Sequence, residues 1–213
     1  SHVVERSWAE LQSILPNTKD IIVVLGLPVR CDGVTYNCAA LAYNGRITGI
    51  TAKKHLCGEG VHYEPRWFSE WPVGKQIQLR NGSESIPFGD VWYEADGVRI
   101  GLEICHDAWV KNRHADDLMR RGVDLILNPS ASHFSLGKRA TVEQLCVSPT
   151  QDTGVSYLFA NLLGCEAGRI IYGGDALIAS KGAIIADGPR FSFRELEVVS
   201  AQVEIDDTNT RSG

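Results

Sequence analysis

VRIGLEICHDAW, residues 98–109, decides how this chain is read. Its first seven residues are largely apolar and branched, as in a buried strand. The run then stops at Cys105, His106, Asp107, Ala108 and Trp109. A cysteine at such a point can be a core thiol, a metal ligand or a nucleophile. Chains that alternate strands and helices place their chemistry where strands run out into loops, so the surrounding sequence must choose.

Immediately upstream, WYEA and VRIGLEI flank Asp96-Gly97, and YNCAALAY and RITGITAKK flank Asn44-Gly45. Both dipeptides accept the positive φ angles of a tight turn, so each reads as a hairpin. Residues 3–15 have helical period and end at Pro16-Asn17, after which IIVVLGLPV reads as a buried strand. Downstream the pattern predicts a helix around His114–Arg121, strand VDLILN, a helix near Lys138–Cys146, and strand SYLFANL. RIIYGGDALIAS then reads as one strand and EVVSAQVEI as the last. Strands and helices interleave without a repeat, which predicts an α/β layer fold. The polar tail DDTNTRSG reads as a boundary or linker.

At 213 residues the chain has the size of one domain. A hydrophobic content of 44% and a net charge of −5 fit a soluble protein and give no nucleic-acid surface. The longest apolar runs, Ile21–Leu27 and Tyr157–Leu163, fall short of a membrane span. SHVVERSWAELQSIL lacks the design of a signal peptide, so the expected location is cytoplasmic and the six cysteines are expected to be reduced thiols.

Cys38 and Cys146 lie in apolar patterns and read as small core residues. Cys31 lies in a turn and Cys165 precedes an acidic loop. Cys57 with His55 and His62 has loosely ligand-like spacing, but no second pair completes a zinc set, and no metal is expected. Cys105 differs by position: backbone N–H groups of the turn after it could hold an oxyanion. His106 cannot be its base in an extended strand, where neighbouring side chains face opposite ways.

GLEICHDAW (101–109) resembles the nucleophile segment of the carbon–nitrogen hydrolase (nitrilase) superfamily. TAKKHLCGEGVHYEPRWF (51–68), SIPFGD (85–90) and NPSASHFSLGKRA (128–140) are most similar to the glutaminase domain of glutamine-dependent NAD synthetases of the eukaryote-like form. The similarity runs from GLPV (26–29) and YNCAAL (36–41) to FANLLGCEAGRIIYGGDALIA (159–179). It implies a nitrilase-like four-layer αββα sandwich, here expected to lack its N-terminal strand and helix.

The resemblance also implies a Glu–Lys–Cys catalytic set. Aligned on His55-Leu56, the lysine is Lys53 and the nucleophile Cys105. Adjacent strand residues face opposite ways, so only one of Lys53 and Lys54 enters the pocket, and Lys54 reads as a solvated charge. A nearby ammonium favours the thiolate, the attacking species; Lys53 would then stabilise the oxyanion, with the N–H of His106 as second donor. Glu64 matches a family glutamate beside the active site, and Glu59 is a weaker candidate for the same region. Ser132 and Lys138 fall where relatives hold the amino-acid end of glutamine; Arg139 replaces Lys138 if the register shifts by one. The family commonly carries Glu at the position of His106, a departure that bears on how the ammonium of glutamine is held.

The general base of the family lies further upstream of the lysine than this chain extends. Glu5 and Glu10 fall on the opening helix and match no motif. The chain is therefore expected to be incomplete at its N terminus and to be inactive as it stands. The expected function is hydrolysis of glutamine, with ammonia passed to an ATP- and Mg2+-using synthetase domain after Gly213 that converts deamido-NAD to NAD. No phosphate-binding Gly-rich loop occurs in these residues, so no cofactor is expected here. Partners would be glutamine, that synthetase domain and further copies of the chain. The alternatives are a stand-alone amidase or carbamoylase and a non-catalytic interaction domain of the same fold.

Overall fold

Two-residue turns built on glycine organise the chain. The structure, a computed structural model, describes residues 2–166 and 168–205. Its contacts gather into two units, Ser1–Tyr93 and Glu94–Gly213.

The first unit opens with α1 (His2–Ile14), which passes into a 3-10 turn, Leu15–Asn17, at Pro16. Pro cannot continue the hydrogen-bond ladder of a helix interior. Strands β1 (Val23–Cys31), β2 (Val34–Tyr43) and β3 (Arg46–Ala52) follow as an antiparallel meander. Asp32-Gly33 and Asn44-Gly45 join them, all four residues having positive φ, as a type I′ turn requires. β4 (Gln76–Asn81) and β5 (Glu84–Gly89) form another hairpin, so the sheet order is β1-β2-β3-β5-β4 with β3 and β5 parallel. Trp8, Leu11 and Leu15 of the helical face pack on Leu27, Cys38, Ala40, Trp71 and Phe88.

β1 occupies an edge of this sheet. Ile21 is exposed and Val23, Val24 and Leu25 are half-buried, which corrects the expectation of a fully buried strand over IIVVLGLPV. An edge strand has neighbours on one side only. Cys31 is the last residue of β1 rather than part of the turn.

β6 (Trp92–Ala95) and β7 (Val98–Leu102) are joined by Asp96-Gly97, both at positive φ. The second unit continues through α2 (His114–Arg120), β8 (Leu125–Ser130), α3 (Lys138–Val147) and β9 (Ser156–Asn161). β10 (Leu163–Glu166) and β11 (Ile170–Gly173) form a separate ribbon, and β12 (Ala176–Ser180) and β13 (Ala183–Asp187) complete the main sheet. Its order is β13-β12-β9-β8-β7-β6, with β7, β8 and β9 parallel. Leu118, Val123, Ile126, Cys146, Tyr157 and Leu177 form the centre of its core.

Two strand expectations are corrected. RIIYGGDALIAS is not one strand but β11 and β12 in different sheets, broken where Gly174 takes φ 71°. EVVSAQVEI does not form a strand; the last strand is β13, which follows β12 across Lys181-Gly182. Residues 197–205 do alternate between half-buried and exposed over much of their length, but that period only permits a strand, which forms when the backbone also pairs with a neighbour. The tail DDTNTRSG lies outside the described residues. Among those described, no helix is long and apolar enough to cross a membrane.

Candidate active site

In the first unit the candidates sit just beyond β3. The N–H of Lys53 donates to Asn37 O at 2.9 Å and its carbonyl accepts from the Trp71 N–H at 3.0 Å, so the backbone is held from two directions. The Lys53 ammonium is 1% exposed and lies 2.5 Å from Glu64 Oε2. Glu64 opens a 3-10 turn, Glu64–Arg66, and also accepts from Asn37 Nδ2 and from the Cys57 N–H, each at 2.7 Å. Burial pushes the Glu64 carboxyl up, but the Lys53 charge and these donors outweigh it and leave the group below the usual carboxylate range. Glu59 is exposed in the loop between them, its carbonyl accepting from the His62 N–H.

Lys54 is not a solvated charge. It is 2% exposed, with Nζ 3.5 Å from Asp90 Oδ1, and Asp90 Oδ2 accepts from the Gly74 N–H at 2.7 Å. The two lysines do face different partners, as alternation requires, but both are inside. A buried ammonium needs a counter-charge, and the Asp that closes SIPFGD supplies it. Glu10 pairs with Arg6 on the surface of α1, and Glu5 is exposed there.

In the second unit the chain leaves β7 through Glu103 and Ile104 and turns at Cys105, which has φ 46°. A left-handed conformation costs a non-glycine residue about 1–2 kcal/mol. Strain of this size persists where surroundings hold it, and it concentrates at functional positions. Cys105–Ala108 forms a 3-10 turn closed by Asp107 N to Ile104 O at 3.1 Å, and capped by Trp109 N to His106 O at 2.9 Å. Cys105 and His106 are half-buried.

Ser132 and Lys138 are brought together. Lys138 Nζ donates to Ser132 Oγ at 2.8 Å and to His133 O at 2.9 Å. It also lies 5.0 Å from the centre of the Trp109 ring, which joins this pair to the turn that carries Cys105. Asn161 clamps the Ser132 backbone, its Oδ1 accepting the N–H at 2.8 Å and its Nδ2 donating to the carbonyl at 3.0 Å. Burial and then the Lys138 charge hold the His133 imidazole below its ordinary range. Arg139 turns elsewhere, to Glu143, Asp175 and Asp187.

The remaining cysteines behave as their surroundings dictate. Cys38 and Cys146 are buried in the two cores, and burial raises both thiols, Cys146 to about 12. All six cysteines are free thiols.

The carbon-nitrogen hydrolase family model matches residues 7–210. This chain belongs to that family. It is similar to the human glutamine-dependent NAD(+) synthetase, 35% identical over 92% of this chain and 29% of that protein. The glutamine-dependent NAD(+) synthetase of Cytophaga hutchinsonii superposes with a TM-score of 0.86 at 41% identity, over 94% of this chain and 33% of that one. An amidase from Nesterenkonia sp. shares the fold, with a TM-score of 0.65 at 20% identity over 86% of this chain and 62% of that one. The chain thus has the nitrilase-type α/β fold and spans about a third or less of the synthetases it matches.

The sequence reading did not single out Asn161 or Glu103. Glu103 is 0% exposed within VRIGLEIC. The signal was present: a carboxylate inside an apolar strand must find a buried partner.

Proposed function

We propose that this chain is the glutaminase part of a glutamine-dependent NAD synthetase. Cys105 attacks the side-chain amide carbon of glutamine, forming a C–S bond. The thiol proton passes to a carboxylate base and from it to the departing nitrogen. The C–N bond breaks, ammonia leaves, and water hydrolyses the thioester to glutamate. The observation that carries this reading is the left-handed Cys105 opening a 3-10 turn directly beyond β7.

The family resemblance gives Lys53 the positive charge that stabilises the thiolate and then the oxyanion, with the His106 N–H as second donor. Glu64 holds that ammonium in place through their 2.5 Å ion pair. Ser132 and Lys138 take the α-carboxylate of glutamine, a charge-assisted contact, and Glu59 is a further candidate for the substrate's rim. The step uses no metal or organic cofactor; ATP and Mg2+ serve a synthetase domain of the same polypeptide, which receives the ammonia. A cytoplasmic location and a homo-oligomer complete the proposal.

The test is ammonia release from glutamine by the full-length protein, with labelling by diazo-oxo-norleucine. Labelling at Cys105, and loss of both labelling and ammonia release in Cys105→Ala, is expected. Ammonia release that survives Cys105→Ala overturns the reading.

A further inference from the structure

We propose that Glu103 is a positioning residue that holds the Cys105 thiol in its reactive place by tying together the two ends of the loop that carries it. The inference rests on the reading of Cys105 as nucleophile. Glu103 directly follows β7, two residues before Cys105, and continues the sheet through its N–H to Leu127 O at 3.1 Å. Its carboxylate then reaches across to the far end of the same loop. Oε1 accepts from the Ala115 N–H at 2.8 Å and from Arg113 Nε at 3.3 Å; Oε2 accepts from Arg113 Nη2 at 2.6 Å. The turn bearing Cys105 lies between these anchor points.

The staple is itself anchored in three directions. Tyr157 of β9 donates its hydroxyl to Glu103 Oε2 at 2.6 Å and accepts from Asn128 Nδ2 of β8 at 2.7 Å. Arg113 Nη1 donates to Leu145 O of α3 at 2.8 Å. Burial, and then the Glu103 charge, push the Tyr157 phenol well above its ordinary range, so it remains a donor throughout the working pH range. Glu103 and Tyr157 are both fully buried, and a carboxylate accepting four donors has little freedom left. The left-handed backbone at Cys105 needs a loop that cannot relax, and this closure supplies one. A thiol moved by about an ångström loses about a hundred-fold in rate.

The test compares wild type, Glu103→Gln, the paired Glu103→Met with Arg113→Met, and Tyr157→Phe in the full-length protein. It measures kcat and KM for glutamine, thermal stability, and the rate of iodoacetamide alkylation at Cys105 relative to the exposed Cys165. Glu103→Gln is expected to lower kcat and the alkylation ratio by about ten-fold or more, with KM within about two-fold. The paired methionine variant removes the uncompensated charge and regains stability, yet its rates are expected to stay low because the tie to Ala115 is gone. Wild-type kcat and alkylation ratio in that folded variant overturn the proposal. If both Glu103 variants fail to fold, Tyr157→Phe decides, since it keeps the ion pair; an unchanged ratio there overturns the proposal, and a fall supports it. Should wild type hydrolyse no glutamine, the substrate reading fails and the alkylation ratio alone decides this one.

Discussion

Lys53 Nζ and Glu64 Oε2 are 2.5 Å apart, with the ammonium buried and the carboxylate partly open to solvent. Glu64 therefore serves as the counter-charge that allows an ammonium to be kept inside. Glu64→Gln leaves that ammonium uncompensated and is expected to cost about 3 kcal/mol, the low end for breaking such a pair. Denaturant unfolding of the variant checks it.

The same pair makes stability depend on pH. The folded-state value of Glu64 is depressed, so between the folded and unfolded values the unfolded chain binds more protons and stability falls with falling pH. The contribution is complete above the unfolded value near about 4.3 and is lost as pH drops through the folded one. The stability gap between wild type and Glu64→Gln should therefore close in acid. A gap that stays constant from neutral pH to pH of about 3 contradicts the assignment.

Cys105 at φ 46° makes an unusual comparison available. Cys105→Gly and Cys105→Ala both remove the thiol, and both are expected to lose amide hydrolysis. They should differ in stability: glycine adopts this backbone freely, so the Gly variant is expected to be the more stable by about 1 kcal/mol. At an ordinary loop position of negative φ the order would be reversed.

Lys138 donates to Ser132 Oγ and His133 O, and under the proposed function it also meets the substrate carboxylate. Lys138→Met is expected to raise KM for glutamine about ten-fold or more, the loss of one charge-assisted hydrogen bond, with a smaller change in kcat. Steady-state kinetics over a range of glutamine concentrations separates the two. Arg139→Met, which breaks the pairs with Asp175 and Asp187 instead, should lower stability and leave KM nearly unchanged.

Gly89, in SIPFGD, combines φ 115° with a position where a Cβ would fall 2.5 Å from Lys75 O and from Trp71 Nε1. Gly89→Ala is expected to destabilise by about 3 kcal/mol, since the backbone oxygen cannot move aside without disturbing the sheet. Thermal unfolding of the variant provides the check, and a shift below about 1 kcal/mol would show that the loop adapts.

Much of the framework was legible because its signals are local. Asn44-Gly45 and Asp96-Gly97 announce their turns through backbone preference alone, and the opening helix declares itself through Leu11, Leu15 and Pro16. The division of RIIYGGDALIAS was less legible: β11 and β12 are both largely apolar, and only the Gly173-Gly174 step marks the change of sheet. Residues 197–205 show the opposite failure, a strand-like period that pairs with no strand among the described residues. At the site, Lys53 and Cys105 are singled out by resemblance, but the burial of Lys54 is not legible in the sequence, because its partner Asp90 lies 36 positions away. Glu103 was passed over for a similar reason, since Tyr157 is 54 residues distant.

The β1-β2-β3 meander closes through turns of two residues, whereas β7, β8 and β9 become neighbours only after long connections. Short closures cost little chain entropy and form early; distant parallel pairings form late. During synthesis the meander also leaves the ribosome first, so we expect a native-like N-terminal hairpin array to precede assembly of the segment bearing the thiol. Pulsed hydrogen exchange during refolding would reveal the order: protection over 23–52 should come before protection over 98–102 and 125–130, and the reverse sequence would refute it.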